Sequence, residues 1–358
     1  MRAFACLALL LSAESVLAAP ESTRYGHLRI ETAGGYAHTH PSASVEHTFV
    51  LTRGRVDLQL GLNAFVSTRW AVDAVRSAPE TGYIGVDGES ILPRIQVAEV
   101  AAHWPTARLN LTMGVVERPW SSLGNTDWGL RAVGATLGER EGWIDPADLG
   151  STLTWRLPQA LGTVWTSVLS GEGFKRRERN ENKTLVLGAW LTPLGLVSAR
   201  LRNTFNLGAL VQQGRFGVSK GRNHRFSFRV SGGIPDLRAG LEYTIAEGIQ
   251  GDAVPEPTGL SMWVRGMPYG PLLAYARLDL IQEIPNVDES QRTRVETGLG
   301  LRLHSSPESD HAYLLVGYGR QHAAEQASLV AGAAGIDQVD TLLIQLTVDT
   351  RQQWGNAP

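Results

Sequence analysis

Arginine is the residue type whose spacing in this sequence carries the clearest chemical suggestion. Arg53, Arg55, Arg69, Arg108, Arg156, Arg200, Arg202, Arg225, Arg229, Arg238, Arg265, Arg277, Arg294 and Arg302 stand in segments where polar and apolar residues alternate, and they sit on the polar phase, as does Arg29. A guanidinium is a planar fork of donors that grips carboxylate or phosphate bidentately and stays charged at ordinary pH. A wall carrying many of them lowers the barrier for anions, and low-dielectric surroundings focus that field. Acids on the same phase are fewer: Glu31, Asp57, Asp73, Glu99, Glu242, Asp279, Glu296 and Asp349. Glu99 shares its phase with Ile95 and Val97, so its side is ambiguous. A chain of formal net charge −2 is therefore expected to carry a basic inner surface. The competing reading is structural. Arg55 beside Asp57 and Arg277 beside Asp279 could belong to ladders of opposite charge that hold a wall in order, and an arginine near a strand end can reach out to the interface instead.

Other chemistry is weakly signalled. The single cysteine, Cys6, lies in the N-terminal segment, so the remainder has neither a disulfide framework nor a thiol nucleophile. No nucleophile elbow, zinc-protease helix or phosphate-cradling glycine loop occurs. No cofactor is expected, and nothing points to nucleic acid. His38, His40 and His47 come close in sequence but lack a matching acid cluster. The run Lys175-Arg176-Arg177-Glu178-Arg179 suits contact with acidic lipopolysaccharide, or is simply a solvated loop.

The elements that position the arginines follow from the period of the pattern. Val56, Leu58 and Leu60 alternate with Arg55, Asp57 and Gln59; Phe226, Phe228 and Val230 alternate with Arg225, Ser227, Arg229 and Ser231. Period 2 is the mark of a strand with two unlike faces. It predicts strands over 25–37, 47–60, 64–74, 94–104, 108–117, 147–158, 162–170, 183–192, 196–207, 224–232, 237–247, 259–267, 271–282, 292–304, 311–321 and 339–354. Many approach the roughly 9–11 residues that a tilted strand needs to cross a bilayer.

Short connections rich in Gly, Pro, Asn and Asp, such as Gly61–Asn63, Pro193–Gly195 and Pro268–Gly270, alternate with long ones such as 75–93, 118–146 and 322–338. That rhythm is expected of a closed transmembrane barrel with short periplasmic turns and long extracellular loops, and less of a soluble β-sandwich. Mean hydropathy is −0.11, and no apolar run beyond the N-terminus reaches the about 18 residues of a membrane helix. Residues 1–18 read as a signal peptide: Arg2, the apolar stretch Phe4 to Leu11, and short side chains ending at Ala18, where cleavage is expected. Residues 19–358 then form one all-β domain, an antiparallel barrel of about sixteen strands in a Gram-negative outer membrane, touching lipid and lipopolysaccharide. Trp70, Trp104, Trp120, Trp155, Trp190 and Trp354 fall near strand ends, where aromatic girdles form, with Trp190 on the inward phase.

Several motifs resemble a family of Gram-negative porins related to the phosphate-selective type. They are Thr52-Arg53-Gly54-Arg55-Val56; Ala101-Ala102-His103-Trp104 followed by Arg108-Leu109-Asn110-Leu111-Thr112-Met113-Gly114 and Pro119-Trp120; Ala147-Asp148-Leu149-Gly150; and Leu169-Ser170-Gly171-Glu172-Gly173-Phe174. They cover the first half of the chain. The resemblance implies a sixteen-stranded homotrimeric pore for small hydrophilic or anionic solutes, with no covalent chemistry. It also implies a third loop, here 118–146, folded inward as a constriction. Its charges are Arg118, Asp127, Arg131, Glu139, Arg140, Glu141 and Asp145. They would set a transverse field across an eyelet, or be ordinary solvated loop charges. Trp354 has the phase of a terminal aromatic signal, although Gly355 to Pro358 follow it. A closed barrel serving as adhesin or scaffold is the alternative, and a barrel-borne lipid hydrolase a more remote one.

Overall fold

A computed structural model describes residues 25–41, 46–76, 91–174, 182–198, 201, 204–216, 221–234, 236–248, 256–285, 287, 290–305, 311–323 and 338–355. The strands are β1 (Tyr25–Pro41), β2 (Glu46–Gly61), β3 (Val66–Arg76), β4 (Ile91–Trp104), β5 (Leu109–Glu117), β6 (Ala147–Arg156), β7 (Gly162–Leu169), β8 (Thr184–Leu191), β9 (Phe205–Gln213), β10 (Arg215–Phe216), β11 (Gly221–Arg222), β12 (His224–Ile234), β13 (Leu237–Glu247), β14 (Thr258–Tyr269), β15 (Leu272–Gln282), β16 (Gln291–Ser305), β17 (His311–Ala323) and β18 (Gln338–Gly355). β10 and β11 form a separate two-stranded ribbon. The other sixteen close into one barrel, each antiparallel to its neighbours, and β1 pairs with β18 from Tyr25↔Gly355 to Pro41↔Val339. Closure leaves no unpaired edge, which is the condition for strands to cross lipid.

The period-2 pattern explains the outer surface. Val56, Met113, Leu153, Leu187, Phe226 and Leu299 are all exposed on the outside of the wall, while Arg55, Thr152, Val186, Arg225 and Arg277 on the opposite phase are buried within. Trp104 and Trp155 face outward at strand ends, whereas Trp70 faces outward from the middle of β3. Trp120 and Trp190 do not: both are buried inside the barrel, so they belong to no girdle. The signal peptide expected over residues 1–18, the Lys175–Arg179 run and the side chain of Trp354 lie outside what the structure describes.

Two local departures from the sequence reading matter for the wall. The strand predicted over 196–207 is instead β9, Phe205–Gln213. Pro193–Leu196 forms a 3-10 turn, followed by the hydrogen bonds Val197 N–H to Leu194 O, Leu201 N–H to Ser198 O and Thr204 N–H to Leu201 O. Arg200 and Arg202 thus precede β9 instead of lying on it, and they fall outside the described residues. In β4 the pairing with β3 shifts between Ala71 and Val72, so Ala71 faces Val97 while Val72 faces Ile95. Gln96 is the extra residue of a β-bulge. The bulge resolves the ambiguity over Glu99: Ile95 is exposed outside, Val97 is buried inside, and Glu99 accepts the Glu117 N–H at 3.2 Å.

Gly114 in β5 has φ +123°, and a Cβ there would overlap the Ala98 carbonyl of β4. Gly114→Val is expected to destabilise the folded barrel by roughly 1–3 kcal/mol, measurable as a lower urea midpoint of the detergent-solubilised protein.

Candidate functional site

Residues 118–146 hang between β5 and β6 and turn into the barrel. Arg118 N–H donates to Pro146 O at 2.8 Å, closing the base of this segment. A helix, Pro119–Trp128, begins with proline in its first turn, where the missing N–H costs nothing. It ends at Gly129, whose φ of +73° and N–H to Asn125 O form a left-handed cap. A single turn, Leu137–Arg140, follows.

The segment rests on an apolar seat. Trp120, Leu137, Trp143 and Ile144 pack with the inward side chains Trp165, Leu169, Val186, Trp190, Leu210 and Ile281. Trp128 and Leu130 pack with Trp263, Leu273, Tyr275 and Leu315. The assignment of every apolar phase to lipid therefore fails along this side. Large hydrophobic side chains point inward where they have a folded segment to cover them, and burial of such side chains contributes about 1.5–3 kcal/mol each. The signal was present in Thr184–Leu191, which reads TLVLGAWL and is apolar on both phases.

Charged anchors surround that seat. Arg229, 1% exposed, donates to Glu242 at 2.6 Å and to Trp120 O at 3.5 Å, and its guanidinium lies 4.6 Å from the Trp120 ring and 5.6 Å from that of Trp190. Gly124 passes so close that a Cβ would overlap this guanidinium. Arg238 donates to Asp127 at 2.6 Å, and Asn206 donates to the same oxygen at 3.0 Å. Arg277 donates to Asp279 at 2.8 Å and to Ala135 O. Arg140 reaches Asp279 at 3.2 Å and Glu296 at 2.8 Å. Glu141 accepts from Arg292 and, at 3.0 Å, from Arg294. Arg225 donates to Trp143 O at 2.6 Å, and Arg118 to Gln212. Asp145 acts electrostatically on both Arg118 and Arg225. Arg131 and Glu139 pair within the segment, at 2.6 Å for one oxygen, and Asn125 donates to Glu139 at 2.8 Å.

Each of the loop charges therefore has a partner, and Asp127, Arg140 and Glu141 bind wall side chains. Burial pushes the Arg118 guanidinium below its ordinary range, against the pull of Asp148 and Asp145. For Arg131 and Arg140 burial pulls down, yet Glu139 and the Glu296–Asp279 pair respectively hold them above it.

Opposite the seat, β1, β2, β3, β5 and β18 carry a network of ion pairs. Arg29 binds Asp349 at 2.8 and 3.0 Å, and Arg53 binds Glu31 at 2.8 Å. Arg55 binds Asp57 at 2.9 Å, while Arg69 binds Asp57 at 2.6 Å and Glu117 at 2.7 Å. The ladder reading of Arg55–Asp57 and Arg277–Asp279 describes these contacts. Arg265 differs: among the described residues it has no hydrogen bond or ion pair, and its Nε is buried without a partner. Arg302 contacts the Met267 sulfur. Arg108 does not lie on the wall: it sits exposed in the turn before β5 with φ +58°, and Arg156 is exposed at the last position of β6. Between network and segment lies a cavity of about 340 Å³, bordered by Arg29, Arg53, Arg55, Arg69, Arg131, Arg265 and Arg351 against Glu31, Glu117 and Asp349. A second cavity of about 400 Å³ lies between Val133 and the inner faces of β15 to β18. Among the described residues no group of three potential ligands could hold a metal.

A closed antiparallel barrel of sixteen strands, apolar outside and charged within, is the porin fold of the Gram-negative outer membrane. Comparison with protein-family models and with curated proteins gives no match to the sequence. Among solved structures, OmpF of Salmonella typhi in complex with daunomycin superposes with TM-score 0.61 at 10% identity, over 91% of this chain and 97% of that one. An anion-selective porin from Comamonas acidovorans gives 0.58 at 10% identity, over 91% and 100%. The outer-membrane OmpT of Vibrio cholerae gives 0.55 at 15%, over 92% and 97%.

Proposed function

We propose that this barrel is an outer-membrane porin that passes small hydrophilic solutes down their gradients and prefers anions. The observation that carries the reading is the charge around one opening of the lumen: seven arginines against three carboxylates border the cavity between the wall network and the inner segment of a closed barrel. Fixed cations in a narrow, low-dielectric passage lower the barrier for anions and raise it for cations. The segment 118–146 acts as the constriction, its apolar seat filling one side of the bore and its polar face turned to the arginines. The resemblance to the phosphate-selective type supports a homotrimer, and the signal-like N-terminus supports export with cleavage after Ala18. The long loops then face outward, toward lipopolysaccharide.

A second reading has one observation in its favour. The inner segment touches the far wall, where Gln345 donates to Ala132 O at 3.1 Å, so a closed barrel acting as adhesin or scaffold is its rival. Planar-bilayer recording of the refolded protein in a KCl gradient separates them. Discrete conductance steps reversing toward the chloride potential are expected. Reversal toward potassium would remove the anion preference, and silence from inserted, folded protein would remove the porin.

A further inference from the structure

The inner segment is held in two unlike ways along its length. Its body is fastened by charge-assisted bonds: Asp127 to Arg238, Arg140 to Glu296 and Glu141 to Arg294. Its tip, around Leu130 to Val133, forms no direct ion pair with the wall among the described residues: Arg131 is paired to Glu139 within the segment and feels Glu31 and Asp73 only at longer range. Leu130 shares an apolar cluster with Leu315, and Gln345 of β18 donates its amide to Ala132 O at 3.1 Å and to Thr52 Oγ1. Leu315 and Gln345 are partners in the β17–β18 register. Gln345 is fully buried, at 0% exposure, yet its own amide oxygen has no partner among the described residues. A buried acceptor left unmade is costly, so this seat is a weaker hold than the ion pairs behind it. The position also divides space. The basic cavity reaches Leu315 and Thr347 on one side of the tip, and the second cavity begins at Gly317 and Leu343 on the other, with Val133 bordering both.

Resting on the porin reading above, we propose that Gln345 is the residue that sets the aperture: by pinning Ala132 to the wall it separates the two cavities and fixes the largest solute that passes. Its part is positioning, since it acts through the tip. A neutral amide adds no charge to the passage, so it governs size without governing sign. That separates it from the arginines, whose removal would move both.

The test is Gln345→Ala, compared with the unaltered full-length protein after refolding is verified by heat-dependent mobility. Single-channel conductance is expected to rise. In proteoliposome swelling, larger neutral sugars are expected to enter, while the reversal potential in a KCl gradient stays where it was. Unchanged conductance together with an unchanged sugar limit would overturn the proposal. A shifted reversal potential would also overturn it, by showing that the charged network had been disturbed. Should the alanine variant not fold, Gln345→Leu keeps the volume and removes the amide, and broader noise on the open level is the expected result. A quiet trace at the original conductance would sink the idea. Silence from the unaltered protein and from both variants would bring down the porin reading itself, and is distinguishable for that reason.

Discussion

Replacing Arg229 with alanine is expected to be the most damaging single change in the lumen, lowering stability by about 3–5 kcal/mol. The side chain is buried between two indole rings and satisfies Glu242 at 2.6 Å. Its loss would strand a carboxylate that is itself 2% exposed, and an uncompensated buried charge is far more costly than the pair was worth. The helix Pro119–Trp128 would lose its contact through Trp120 O as well. Equilibrium urea unfolding followed by tryptophan fluorescence measures the loss. The double change Arg229→Met with Glu242→Leu is expected to recover much of it, because two matched apolar side chains leave no charge behind. If the double variant is as unstable as the single one, the penalty lies in the cation–π packing and not in the stranded acid.

Arg265→Glu is expected to have the largest effect on selectivity with little on stability. Other arginines of the basic cavity are held by acids: Arg29 by Asp349, Arg53 by Glu31, Arg69 by Asp57 and Glu117. Changing one of those breaks a network as well as a charge. Arg265 breaks no ion pair among the described residues, so its reversal alters the field by two charges and leaves the ladders standing. The reversal potential in a KCl gradient should move from the chloride side toward potassium, with a urea midpoint near that of the unaltered protein. The shift should shrink in concentrated salt, since screening shortens the reach of a fixed charge from about 10 Å at 0.1 M to about 3 Å at 1 M. No shift at low salt would mean that Arg265 lies off the ion path.

The barrel was legible in the sequence because each strand writes its two environments at every second residue. Sixteen strands were readable, fifteen of them close to their places, since lipid and lumen demand opposite side chains. The ninth strand is displaced because the predicted short connection Pro193–Gly195 opens a longer turning stretch that begins with the 3-10 turn Pro193–Leu196, and the strand starts only at Phe205. What could not be read was the interior. Alternation assigns a phase to lipid or to water, but Trp165, Trp190, Leu210 and Trp263 face neither: they face another part of the chain. Their partners lie far away in sequence, so no local period records them. Alternation places the arginines on the inner wall and leaves open whether they stand as cations or in ladders of opposite charge. Most proved to be half of an ion pair, and which ones pair depends on register across neighbouring strands, as with Arg29 beside Asp349 at the β1–β18 seam.

That seam gives the seat of the inner segment a bearing on assembly. β18 is the last barrel strand in the chain, and its alignment with β1 and β17 completes the ring. Gln345 stands between Ile344 and Leu346, which are 43% and 47% exposed on the outer face. A slip of one residue would turn every side chain of β18 over. The amide would then meet lipid, and a leucine or isoleucine with no donor would meet the Ala132 carbonyl. A ring slipped by one residue offers the segment's tip no such hydrogen bond, so the amide that seats the tip also favours the in-step meeting of β1 and β18.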